Sequence, residues 1–103
     1  MNDSPWRDRP ATGGTISRDI MITNKRGLHA RASAKFVQTV ELYQTHVTVT
    51  KGGETVGGTS IMGLMMLAAG PGSVITVTAK GYEARECLDA LEGLLSDKFG
   101  EGE

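Results

Sequence analysis

The stretch Thr45-His46-Val47-Thr48-Val49-Thr50, with Lys51-Gly52-Gly53-Glu54 and Thr55-Val56 after it, constrains the fold more than any other part of this 103-residue chain. β-Branched residues alternating between apolar and polar give a strand with one buried face, because branched side chains suit a pleated surface. The paired glycines mark a tight reversal, since the central positions of a two-residue hairpin turn favour positive φ. The short run after them is the returning strand. A hairpin pairs its strands antiparallel, so the sheet cannot be purely parallel.

The other elements follow from period and punctuation. Ile16, Arg18, Ile20 and Ile22 occupy alternate positions, apolar except at Arg18, and read as a first strand. Asn24-Lys25-Arg26-Gly27 is a turn. Ala32, Phe36 and Val40, spaced by four with Val37 alongside, give a helix with one core-facing stripe. Ser60 opens a short helix from Ile61 to about Ala69, which Gly70-Pro71-Gly72 stops. Ser73 to Ala79 is the clearest strand, broken by Gly81, and Ala84, Cys87, Leu88, Leu91, Leu94 and Leu95 make an amphipathic last helix.

The predicted order is therefore β-α-β-β-α-β-α. The fold class is α+β, an open-faced sandwich in which a four-stranded antiparallel sheet carries three helices on one face. Residues 1–15 are rich in Pro, Gly, Asp and Arg, lack a hydrophobic period and read as a flexible tail, with Trp6 as an exposed tail residue rather than a docking one. Residues 16–100 form one domain. The acidic end, Gly100 to Glu103, reads as frayed.

Bulk properties exclude several function classes. A net charge of −1 without a basic tract speaks against a nucleic-acid binder. The longest apolar run, Ile61 to Ala69, is interrupted by Gly63 and too short to cross a bilayer. No secretory plan opens the chain. The single cysteine, Cys87, gives neither a disulfide framework nor metal-ligand spacing, and reads as a small core hydrophobe. A cytoplasmic protein without metal or cofactor fits. His46 starts a strand without a charged partner in its motif and reads as structural or exposed.

The chemistry sits in Gly27-Leu28-His29-Ala30-Arg31-Ala32-Ser33. His29 stands where the loop turns into a helix, with Arg31 two residues on. A helix start offers unpaired N–H groups and the positive end of the helix dipole, an anion site. A neutral imidazole there can act as a nucleophile toward phosphorus, and the N–H groups and Arg31 can hold the phosphoryl group. The alternative is an exposed capping histidine. Lys25 and Arg26 either add positive potential or are ordinary solvated turn residues. No P-loop, metal set or general-base carboxylate lies in the motif, so a transfer reaction would draw the rest of its machinery from partner enzymes.

The second helix is apolar nearly all round. Leu64, Leu67 and Ala68 suffice for a core stripe, which leaves Ile61, Met62 and Met65 at the rim. They either pack under a loop or form a docking surface, for which flexible, polarizable methionine is suited. Ser60 is placed to cap this helix; a phosphate on it would add about −1.5 to −2 charges to that surface.

These two segments, Gly27-Leu28-His29-Ala30-Arg31 and Ser60-Ile61-Met62-Gly63-Leu64, resemble the histidine-containing phosphocarriers of the bacterial sugar phosphotransferase system, HPr, and their nitrogen-branch paralogue. The resemblance runs from about Ile16 to Phe99 and includes the element order. It implies that His29 takes a phosphoryl group on Nδ1 from phosphorylated enzyme I and passes it to a histidine of an enzyme IIA domain. It implies that Arg31 stabilises the phosphate, with Ala30 and Asn24 beside it. It also implies that Ser60 is the site modified by HPr kinase/phosphorylase, that Ile61, Met62 and Met65 dock both partners, and that the protein is a monomeric carrier rather than a stand-alone enzyme.

One departure stands out. The family usually has proline directly after the arginine, where this chain has Ala32. Alanine gives up the stiffening that proline brings to a first helical turn, about 0.4–1 kcal/mol. A reading from another class stays open, that of a regulatory binding module for nitrogen or carbon control acting through Ser60 phosphorylation. The pair His29 and Arg31 favours the carrier, since such a module has no need of it.

Overall fold

The computed structural model describes residues 15–101. Trp6 and the rest of the first 14 residues lie outside that range, as do the last two. The elements are β1 (Thr15–Met21), α1 (Ala30–Val40), β2 (His46–Lys51), β3 (Glu54–Gly57), α2 (Ile61–Met66), β4 (Val74–Lys80) and α3 (Ala84–Ser96), followed by a turn at Lys98–Gly100 whose residues all have left-handed φ. The order is the expected β-α-β-β-α-β-α. The sheet is antiparallel throughout, in the order β1-β4-β2-β3.

The hairpin turn reverses at Gly52 and Gly53, whose φ values of 58° and 88° are open to glycine and costly for most residues. It sets Lys51 opposite Glu54 and Val49 opposite Val56. β4 then runs between β1 and β2, with Val77 opposite both Arg18 and Val49.

Alternation sorts the two sheet faces. Ile16, Ile20, Val47, Val49, Ile75, Val77 and Ala79 are buried beneath the helices. The helices answer with Ala32, Phe36, Val37 and Val40 from α1, and with Ala84, Cys87, Leu88, Leu91 and Leu95 from α3. The other face carries a hydroxyl ladder: Ser17 bonds Thr78 at 2.9 Å, Thr50 bonds Thr55 at 2.7 Å, and Thr76 donates to Asp19 at 2.7 Å. Hydroxyls satisfied within the sheet suit a face left to water.

Arg18, the polar residue in an apolar alternation, is explained by α3. Its guanidinium reaches Asp89 at 2.9 Å and Glu92 at 2.8 Å, tying the last helix to the first strand. Cys87 is fully buried, and desolvation, with the nearby charge of Glu83, pushes its thiol up to about 11. It behaves as the expected core hydrophobe. His46 is exposed at the sheet end, opposite Lys80.

Two expectations about segment ends are corrected. α2 stops at Met66 with Leu67 as its C-cap, rather than running to about Ala69. Ala68 adopts a left-handed φ of 54° and is exposed, so Leu64, Leu67 and Ala69 carry the inward stripe instead of Leu64, Leu67 and Ala68. The chain end is not frayed at Gly100 and Glu101. Phe99 is buried, and Glu101 folds back against the start of α1.

Candidate phosphoryl-carrying site

The turn before α1 places the histidine. Asn24 to Gly27 close a β-turn, with the Gly27 N–H donating to the Asn24 carbonyl at 3.2 Å. Gly27 has φ +65°, and a Cβ there would lie 2.3 Å from the Ala69 carbonyl oxygen. That same carbonyl accepts from the Leu28 N–H at 3.0 Å, so the turn is pinned against the loop that follows α2. Only glycine meets both the φ and the approach.

His29 is the N-cap of α1, with φ −74° and ψ −178°. Its carbonyl accepts from the Ser33 N–H at 2.9 Å, but its side chain makes no capping bond. The first-turn N–H groups of a helix have no acceptor inside the helix, so those of Ala30 and Arg31 remain at its positive end. Ala30 and Arg31 are exposed there. Ala32 is fully buried in the first turn.

Two hollows of about 310 Å³ each meet at His29. One is lined by Arg26, Arg31, Lys35, Gly100 and Glu101 together with His29. Three cations converge there, and the Arg31 guanidinium has no ion-pair partner among the described residues. The other hollow, which shares Arg26, runs toward α2 past the apolar Leu28, Met65, Ala68 and Ala69. The imidazole therefore lies on the divide between a cationic recess and an apolar one.

Asn24 lies under the site. It is fully buried, and its amide nitrogen donates to the Gly27 carbonyl at 2.8 Å and to Glu101 Oε1 at 3.1 Å. Its Oδ1 has no hydrogen-bond partner among the described residues. The reverse orientation would turn that oxygen toward a carbonyl and a carboxylate, so the amide keeps its donors there. Glu101 Oε2 bonds His29 Nε2 at 2.5 Å.

Ser60 caps α2 as expected, accepting from the Gly63 N–H at 2.9 Å. From it runs the exposed apolar face of Ile61, Met62 and Met65, and Met66 extends that face. Met62 is 72% exposed and Met66 70%, so these side chains do not pack under a loop.

The arrangement brings together a histidine, an open helix end and an arginine, beside an apolar surface. Comparison with known proteins adds to it. Residues 16–97 match the family model described as the PTS HPr component phosphorylation site. This chain belongs to the HPr family of phosphocarrier proteins.

Among HPr relatives, the phosphocarrier protein HPr of Cupriavidus necator is 48% identical over 88 residues, covering 85% of this chain and 99% of the relative. That of Neisseria meningitidis serogroup A is 50% identical over 88 residues, with the same shares covered. The crystal structure of HPr-C-His from Thermoanaerobacter tengcongensis superposes with a TM-score of 0.79 at 41% identity, covering 82% of this chain and 96% of that one. The open-faced sandwich is thus the fold of its relatives, and the chain is a phosphotransferase-system carrier. No helix among the described residues is long and apolar enough to cross a membrane.

Sequence reading missed Glu101. The composition Gly-Glu-Gly-Glu at the chain end reads as a solvated tail, and nothing local signals its return to the site.

Proposed function

We infer that His29 is the phosphoryl acceptor, taking the group from phosphorylated enzyme I and giving it to a histidine of an enzyme IIA domain. The observation that carries this reading is the imidazole at the start of α1, beside a recess lined by Arg26, Arg31 and Lys35. Phosphoryl transfer needs mainly positioning and charge stabilisation. Arg31 and the first-turn N–H groups neutralise the phosphoryl oxygens, with Ala30 and Asn24 supporting the segment that presents them. The partner enzymes supply what the carrier lacks. A carrier must also release its group, so an open recess suits it better than a closed one.

The exposed Ile61, Met62 and Met65 form the docking surface for both partners, close enough to His29 that a bound enzyme covers the two together. Ser60, at the head of that helix, is the regulatory phosphorylation site for an HPr kinase/phosphorylase. A phosphate there sits well with the α2 dipole yet places negative charge where a phosphorylated partner must approach. The carrier domain, expected over residues 16–100, takes in Thr15, which opens β1, and Glu101, which meets His29.

Intact-mass analysis after incubation with phosphoenolpyruvate and enzyme I tests the reading. The wild type is expected to gain one acid-labile phosphate, and His29→Ala none. A chain that gains no phosphate from either the sugar-branch or the nitrogen-branch enzyme I would refute it.

A further inference from the structure

Both oxygens of the Glu101 carboxylate are engaged. Each oxygen has its own donor: Oε2 meets His29 Nε2 at 2.5 Å, and Oε1 meets the amide of buried Asn24 at 3.1 Å. Asn24 is fixed in turn by its bond to the Gly27 carbonyl. Two residues before Glu101, Phe99 is buried, and its carbonyl accepts from Lys35 Nζ at 2.5 Å. The side chains of His29 and Glu101 are only 17% and 13% exposed, so water competes little for their bond.

A carboxylate can only accept. The bond therefore requires a proton on Nε2, and in the neutral ring that leaves the lone pair on Nδ1. The two ring nitrogens point to opposite sides of the imidazole, so fixing Nε2 on Glu101 also fixes the direction of Nδ1. We propose that Glu101 is a positioning residue for phosphoryl transfer, selecting the His29 tautomer with Nδ1 free and balancing the charge that the ring acquires. This rests on the carrier reading above, which it deepens.

The electron count is simple. The Nδ1 lone pair forms a bond to phosphorus, while the bond from phosphorus to the donor breaks and its electron pair leaves with the donor. The ring, still protonated at Nε2, gains positive charge, and the adjacent carboxylate offsets it. Onward transfer reverses each step, and the Nε2 proton never leaves the hydrogen bond. Arg26, Arg31 and Lys35 face the same recess and act on the phosphoryl oxygens, whereas Glu101, which also lines it, acts through its bond to the ring.

The test uses the full chain with ¹⁵N-labelled histidine, at a pH above the ordinary imidazole range, with His46 as internal control. In the wild type His29 is expected as a single tautomer protonated at Nε2. In Glu101→Ala it becomes a mixture. Transfer from phosphorylated enzyme I falls about tenfold in kcat with little change in KM, in line with the loss of an imidazole-orienting carboxylate. Glu101→Gln, which keeps an acceptor oxygen without charge and preserves the size of the side chain, falls between the two.

An unchanged tautomer in Glu101→Ala, or a transfer rate equal to or above wild type, would overturn the proposal; a faster rate would make Glu101 a plug in the recess instead. Failure of the wild type to take up phosphate would count against the carrier reading, and the tautomer measurement would still decide what Glu101 does to His29.

Discussion

Glu101 is the residue whose ionisation bears most directly on the site. Burial at the rim of the recess raises its carboxyl, but the hydrogen bonds from His29 and Asn24, with the charges of His29 and Arg26, outweigh that and hold it below the usual glutamate range. A carboxyl with a lower pKa in the folded than in the unfolded chain stabilises the fold above the unfolded value. That contribution is lost as the pH falls through the folded value. The melting temperature of the wild type is therefore expected to exceed that of Glu101→Gln at neutral pH. The gap should close as the pH drops below the ordinary glutamate range, about 4. A gap of constant size from neutral pH into acid would mean that the bond owes nothing to the charge of Glu101.

At the scale of elements, the site depends on how two loops meet. The loop after α2 supplies the Ala69 carbonyl, which accepts from Leu28 and lies where a side chain on Gly27 would go. Gly27→Ala meets both a left-handed φ and a backbone clash. It is expected to destabilise the fold by at least about 2 kcal/mol, combining a conformational cost of 1–2 kcal/mol with displacement of the turn. Chemical denaturation measures the loss. Amide shifts concentrated at Leu28, His29, Ala69 and Gly70 would locate it, and shifts confined to residue 27 would contradict the account.

The same scale shows what sequence could and could not disclose. Every strand was legible, because alternation and the Gly52-Gly53 turn are local signals. His29 at a helix start was legible from the turn glycine and the apolar spacing after it. The end of α2 was not: Ala68 has no Cβ-free backbone to advertise its φ of 54°, and tertiary contact through Ala69 sets it. Glu101 was not legible either, since it lies 72 positions from His29 and reaches it only because Lys98 and Phe99 take left-handed conformations. Those φ values are costly for side-chain-bearing residues and persist only where packing over-determines them.

For the molecule as a whole, the packing that enforces that turn is the burial of Phe99. The last segment closes over the start of the domain: Thr23 Oγ1 donates to the Leu95 carbonyl at 2.8 Å, Lys35 reaches Phe99 at its carbonyl, and Glu101 meets Asn24 and His29. The chain end that reaches the site is thus anchored to the core through one aromatic ring. Phe99→Ala is expected to lose about 3–5 kcal/mol, as deletion of a buried aromatic does. It should also release Glu101, giving His29 the mixed tautomers expected of Glu101→Ala although residue 99 lies outside the recess. Leu91→Ala serves as the comparator, because Leu91 is equally buried but sits within α3, away from that turn. It should lose about 2–5 kcal/mol and leave the His29 tautomer intact at temperatures where the variant is folded. If both variants disturb His29 alike, the site responds to general loosening of the core. If only Phe99→Ala does, the chain end is the element through which core packing sets the state of the histidine.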